Sequence, residues 1–153
     1  MDQKSIDKLN QLHPSIRQDA LDAYDEACRL TPVGIHPVID QTIRTFEEST
    51  KLYNQGRTTP GSIVSNAKAG QSYHNYGLAL DFHLQVNGKD KWLVDKNWMI
   101  VVKCFKDRGF KWGGDFKSIP DAPHFEKSPL HWKELLALHN SGKFIPGETY
   151  VNV

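Results

Sequence analysis

Gln71-Ser72-Tyr73-His74-Asn75-Tyr76-Gly77-Leu78-Ala79-Leu80-Asp81-Phe82 decides how the chain is read. A polar, glycine-containing segment ends in His74, and an alternating apolar run beginning at Leu78 carries Asp81. Alternation of this kind predicts a half-buried strand over Leu78–Leu84, closed by an Asn87-Gly88 hairpin turn. Gly77 allows the tight backbone approach that links histidine to strand. A second stretch, Asp121-Ala122-Pro123-His124-Phe125-Glu126, supplies another imidazole and a carboxylate three residues before it. It reads as a loop entering a short strand.

Working outward, residues 1–30 read as helical. Ser15-Ile16-Arg17-Gln18 has the form of a capping box preceded by Pro14, and Ile16, Ala20, Ala23, Tyr24, Ala27 and Cys28 give one apolar face. Thr31-Pro32 ends the helix. Val38–Arg44 is β-branched and reads as a strand, and Thr45 is an N-cap with Glu47 and Glu48 in the first turn. Residues 57–73 form a long loop that leads into His74, and long ordered loops in compact domains carry function. A helix is predicted over Leu93–Phe105, a short strand over Phe110–Trp112, and a last helix capped by Ser128 with Pro129 at its first position. The tail from Phe144 reads as a polar surface segment. Strands and helices mix without regular βαβ alternation, so the class is α+β, a small antiparallel sheet flanked by helices.

The composition excludes several functions. A length of 153 residues fits one domain spanning 1–153, with no separate wall-binding unit, and buries roughly 68–70% of the unfolded surface. A formal net charge of +1 leaves no electrostatic footprint for nucleic acid. No apolar run approaches the ~20 residues of a membrane span, so membrane insertion is not expected. Met1-Asp2-Gln3-Lys4 opens without an apolar leader. The two cysteines, Cys28 and Cys104, fall on apolar helical positions and read as core thiols, not as a disulfide framework.

A catalytic zinc takes three N or O ligands and keeps one position open. His74, Asp81 and His124 can be those ligands, and Asp121 can face the open position as a base. Spacing alone leaves these four open to structural readings. Ser72-x-His74-x-x-Gly77-x-Ala79-x-Asp81 resembles the zinc motif of the D-Ala-D-Ala carboxypeptidase-like metallopeptidases, the M15 peptidase family, and Asp121-x-x-His124 resembles its second motif. Ile43-Arg44-Thr45-Phe46-Glu47-Glu48, Asn54-Gln55-Gly56-Arg57-Thr58 and Trp112-Gly113-Gly114-Asp115-Phe116 are similar to segments of its L-alanyl-D-glutamate endopeptidase branch, which includes phage endolysins.

The resemblance implies a Hedgehog/D,D-peptidase-like zinc fold. It implies zinc held by His74, Asp81 and His124, with Asp121 as general acid/base and Arg44 near the scissile carbonyl. Ser72 and Arg57 are the substrate-side residues it suggests. Ser49 stands where the branch usually has a glutamine that helps to hold substrate. Glu126 shares a strand face with His124 and is a rival base, with support of a ligand the favoured role, while His83 shares a face with Asp81 and reads as a supporting or surface residue. Trp112 and Tyr73 read as packing residues at the groove. The implied partner is a peptidoglycan stem peptide, met by a monomer made in the cytoplasm and released by a holin. The rival readings are a D,D-carboxypeptidase or dipeptidase, a zinc module that binds without hydrolysis, and a structural zinc domain.

Overall fold

The computed structural model describes residues 1–153. Five α-helices and five strands follow in the order α1 (Gln3–Leu9), α2 (Pro14–Leu30), β1 (Ile35–Gln41), α3 (Phe46–Asn54), β2 (Ala79–Val86), β3 (Lys89–Lys91), α4 (Lys96–Lys106), β4 (Lys111–Trp112), β5 (His124–Glu126) and α5 (Trp132–Asn140). The strands form one antiparallel sheet in the order β1-β2-β5-β4, and β3 pairs with the far end of β2. The class is therefore α+β, as the irregular order of elements predicts.

The pleat of β2 explains the layering. Leu80, Phe82 and Leu84 are fully buried and join a core with Ile16, Ala20, Ala23, Tyr24 and Ala27 of α2 and Trp98, Val101, Val102 and Phe105 of α4. Phe82 packs on Trp98 at 4.4 Å between ring centres, and Phe125 of β5 stacks on Phe105 at 4.5 Å. Each such buried side chain is worth about 1.5–3 kcal/mol of transfer free energy. The residues between them, Asp81, His83 and Gln85, point by strand alternation to the opposite face. That face carries the site.

A bulge shapes the edge of this face. The β1–β2 register runs Ile39↔Phe82 and then Gln41↔Asp81, so Asp40 is the extra residue. Lys8 ties the bulge down through hydrogen bonds from Nζ to the carbonyls of Ile39 and Asp40, at 3.1 and 2.8 Å.

Several local expectations need correction. The N-terminal region is two helices, and the cap of α2 is His13, whose Nδ1 accepts from the Ser15 N–H; Pro14 occupies the first turn. β1 stops at Gln41, because the chain turns there toward α3 instead of running on to Arg44. Asp95 accepts from the N–H groups of Asn97 and Trp98, so α4 starts later than hydropathy predicts. The last helix is capped by His131, with Glu134 completing a capping box, and not by Ser128. The tail is anchored: Val151 is buried, its carbonyl meets His13 Nε2 at 2.8 Å, and Tyr150 Oη donates to the Gln11 carbonyl at 2.7 Å.

Other details follow the sequence. Thr45 caps α3 by accepting from the Glu48 N–H. Asn87 and Gly88 both take positive φ, 51° and 80°, as a tight hairpin turn requires. Cys28 and Cys104 are both free thiols packed into or against the core, and burial pushes both thiols above the ordinary cysteine range. No helix is long and apolar enough to cross a membrane.

Candidate metal centre

Three segments meet on the open face of the sheet. The first is the single 3-10 turn Tyr73–Tyr76. Ser72 caps it by accepting from the His74 N–H at 3.2 Å, and Gly77 closes it in the left-handed conformation at φ 68°. A β-carbon on Gly77 would lie 2.8 Å from the His13 backbone nitrogen, so conformation and space both require glycine there. The second segment is β2, which presents Asp81. The third is β5, where His124 sits opposite Asp81 in register.

One ligand atom from each of His74, Asp81 and His124 lies within 4.8 Å of the others. Asp81 Oδ2 is 3.3 Å from His74 Nε2, and Asp81 Oδ1 is 3.1 Å from His124 Nδ1. Both imidazoles are buried. Their outward nitrogens are fixed: His74 Nδ1 donates to the Thr42 carbonyl at 2.9 Å, and His124 Nε2 donates to Glu126 Oε1 at 2.9 Å. The lone pairs that remain, on Nε2 of His74 and Nδ1 of His124, face the same small space as the carboxylate. Histidines that hold a metal are oriented in this way by a partner on the second nitrogen. Two imidazoles and one carboxylate also form a donor set that suits zinc.

Without a metal these groups hold protons among themselves. Burial opposes charge on both Asp81 and His124, but the hydrogen bonds between them outweigh it. The Asp81 carboxyl is held well below the usual carboxylate range, and His124, which also faces Glu126, is raised to about 9.

The centre lies at the foot of an open groove of about 930 Å³. Arg44, Ser72, Tyr73 and Asp121 line it, together with the apolar side chains of Ile63, Val64, Phe116 and Ile119. Asp121 is exposed at the groove; desolvation by the atoms packed around its carboxyl pushes that group up, and Asp81 adds to this against Arg44 and the two imidazoles. Burial lowers the Arg44 guanidinium from its usual value. Arg44 donates from Nη2 to Gln41 Oε1 at 2.6 Å, while its Nε is buried without a hydrogen-bond partner in the fold.

The Asp121–His124 segment is pinned from below. Trp112 Nε1 and Trp98 Nε1 both donate to the Ala122 carbonyl, at 2.7 and 3.3 Å. The Asp121 N–H donates to the Gly113 carbonyl at 2.8 Å, and a β-carbon on Gly113 would lie 2.2 Å from the Asp121 carbonyl oxygen. Gly113→Ala therefore displaces Asp121. A misplacement near 1 Å can cost about 100-fold in rate, so the expected loss of activity is roughly tenfold to 100-fold, with metal affinity lowered too because the same β-carbon would lie 3.0 Å from the His124 β-carbon. Metal content and turnover measured on the same sample check this, and turnover within twofold of the parent refutes the coupling.

Two substrate-side expectations are corrected. Ser49 is buried under the turn, where its Oγ accepts from Asn75 Nδ2 at 2.8 Å; it is not on the groove wall. Arg57 lies outside the groove as a strut: it donates to the Ser65 carbonyl at 2.8 Å and to Asn66 Oδ1 at 2.9 Å, with its guanidinium 3.9 Å from the Tyr53 ring centre. It holds the 61–66 loop that forms one wall. Asn75 and Thr42 were missed. Asn75 Nδ2 also donates to the Arg44 carbonyl at 2.9 Å, and its Oδ1 accepts from the Gly70 and Ser72 N–H groups. The Ser72-x-x-Asn75 spacing of a capping box was the available signal. Thr42 acts through its backbone carbonyl, which leaves no trace in side-chain identity.

Comparison with known proteins agrees with this geometry. A family model described as D-alanyl-D-alanine carboxypeptidase matches residues 65–127. The chain is 44% identical over 127 residues to the peptidoglycan L-alanyl-D-glutamate endopeptidase CwlK of Bacillus subtilis (strain 168), covering 77% of this chain and 74% of that one. It belongs to the M15 peptidase family. The chain is also 34% identical over 96 residues to the L-alanyl-D-glutamate peptidase of Listeria phage A118, covering 61% of this chain and 31% of that one. The fold also matches the crystal structure of the Serratia marcescens L-Ala D-Glu endopeptidase ChiX, with a TM-score of 0.61, 18% identity, and coverage of 84% and 89% of the two chains. The M15 family model spans His74, Asp81, Asp121 and His124 together.

Proposed function

We propose that this chain is a zinc-dependent endopeptidase of peptidoglycan that hydrolyses the L-alanyl-D-glutamate bond of the stem peptide. The observation that carries the reading is the convergence of His74, Asp81 and His124 at the foot of an open groove. The strong likeness to a Bacillus subtilis endopeptidase of that specificity names the bond.

In this reading His74 Nε2, Asp81 and His124 Nδ1 hold zinc, while Thr42 and Glu126 keep the two rings oriented. Zinc, when bound, supplies a Lewis acid that polarises the carbonyl and brings the pKa of water from 15.7 to about 7. Asp121 takes the proton from the attacking water and returns it to the departing glutamate nitrogen, which breaks the peptide bond with a balanced proton count. A carboxyl raised by desolvation suits a group that must both accept and donate. Arg44, which lines the groove, presents a cation to the oxygen on which negative charge develops. Ser72 stands at the groove wall as the substrate contact. Residues 1–153 work as one catalytic domain and one monomer, acting on the wall after release through a holin-type partner.

The test is digestion of purified peptidoglycan with and without a chelator. New amino-terminal D-glutamate or D-isoglutamine and free L-alanine carboxyl ends, lost on chelation and restored by zinc, are the expected result. The family model's description favours a second reading, a D,D-carboxypeptidase; released D-alanine in place of new D-glutamate ends would establish it.

A further inference from the structure

The face that carries the metal centre continues along β2 past Asp81. Two residues on, which is about 6.8 Å along a strand, His83 points to the same side. Its Nδ1 faces Asp40 Oδ1 at 2.8 Å and its Nε2 faces Asp90 Oδ1 at 3.0 Å, so the ring is clamped between two carboxylates. β3 sets Lys91 opposite Leu84, which brings the next residue, Trp92, beside His83. The two rings stack at 4.8 Å and 25°. Trp92 nevertheless stays 55% exposed. One face of the indole is held and the other is open. Asp90, with 58% of its side chain exposed, and Gln85, which donates to Asp90 Oδ1 at 3.0 Å, form a polar fringe beside it.

A clamped, half-exposed indole with carboxylate and amide groups at its edge fits a sugar ring. The C–H face of the sugar covers the indole, and its hydroxyls and acetamido N–H donate to Asp90. An apolar partner would instead strip water from Asp90 with nothing to replace it. Position selects the same occupant. In the L-alanyl-D-glutamate reading, on which this inference rests, the scissile carbonyl belongs to the alanine. That alanine is joined through its nitrogen to the lactyl group of a muramic acid. One residue and the lactyl link span about 7 Å at ~3.3–3.6 Å per residue equivalent, so the sugar lies close to the reacting carbonyl. The glycan must lie on the surface within reach of the centre, and the Trp92 platform lies on the same face of the sheet, beyond the groove that holds His74, Asp81 and His124.

We infer that Trp92, backed by His83 and fringed by Asp90 and Gln85, is a saccharide subsite that binds the amino-sugar strand carrying the stem peptide. The metalloprotein is therefore a reader of glycan-attached peptide as well as of the peptide itself.

The zinc-loaded protein and its Trp92→Ala and Trp92→Phe variants are given two substrates: the free stem tripeptide, and the same tripeptide on its N-acetylglucosaminyl–N-acetylmuramic acid disaccharide. Trp92→Ala is expected to lower kcat/KM on the disaccharide substrate about tenfold more than on the free peptide, the scale of one aromatic stacking contact. Trp92→Phe should recover part of that ratio. An equal effect on both substrates, or no effect on either, overturns the subsite. Independently of catalysis, titration with the peptide-free disaccharide should shift the Trp92 indole N–H resonance, assigned by its loss in Trp92→Phe, and an unmoved resonance overturns the proposal. If the parent cleaves neither substrate the endopeptidase reading fails, while the sugar titration still decides the subsite.

Discussion

Asp121→Ala is expected to keep one zinc per chain and to lose hydrolysis by about 100-fold to 10,000-fold, the usual range for a general acid–base group. Asp121 lines the groove beside the centre but is not among the three converging ligand atoms. Its removal therefore leaves the donor set complete. Asp121→Asn keeps the shape and the link between the Asp121 N–H and Gly113, yet it cannot take a proton, so it should be nearly as inactive. Turnover by Asp121→Ala within tenfold of the parent, at equal metal content, would move the base elsewhere in the groove.

His124→Ala has the second large effect, and of a different kind. It removes one ligand and leaves Asp81 and Glu126 without the imidazole that both face. Metal content and hydrolysis should fall together, with affinity reduced by more than the ~10–100-fold typical of losing an outer partner. Breaking a buried charge pair in this way costs about 3–5 kcal/mol, so the metal-free variant should also melt earlier than the metal-free parent. The parent supplies a pH test of the same residue. Metal-free His124 holds its proton up to about pH 9, and a metal must displace it. Loading at neutral pH should release that proton, and affinity should rise about tenfold per pH unit until His124 deprotonates. Isothermal titration in two buffers of different ionisation enthalpy counts the proton. A value of zero at pH 7 would mean that the histidine is already neutral.

The convergence of His74, Asp81 and His124 was legible through the wording of the two motifs and their likeness to a known family, since spacing alone left each residue open to a structural role. His74, Gly77 and Asp81 lie on one turn and one strand, where pleat and periodicity relate them. His124 becomes adjacent only through the β2–β5 pairing, and it was the wording of its own short motif that suggested grouping it with the other two. The apolar alternation of β2 and the helical stripes of α2 and α4 were likewise readable, since burial selects them directly.

What escaped acts through the backbone or across long separations. The Thr42 carbonyl orients His74 because a bulge at Asp40 shifts the end of β1, and a bulge has no residue signature here. Ser49 and Arg57 were placed in the groove by likeness alone, whereas helix rotation buries the first and a loop carbonyl captures the second. His13 capped α2 in place of Ser15, because an imidazole can accept from the N–H two residues on. The tail looked polar by composition, and only the pocket that receives Val151 reveals it as an anchor.

The two thiols have a consequence for where such a molecule can work. Cys28 and Cys104 are held in or against the core with their protons retained by burial. Thiolate is the form that exchanges with disulfides and is oxidised, and little of it is present at neutral pH. The fold neither requires an oxidant to mature nor presents a ready handle to one. It can cross from a reducing milieu to an oxidising one without a change in its covalent state.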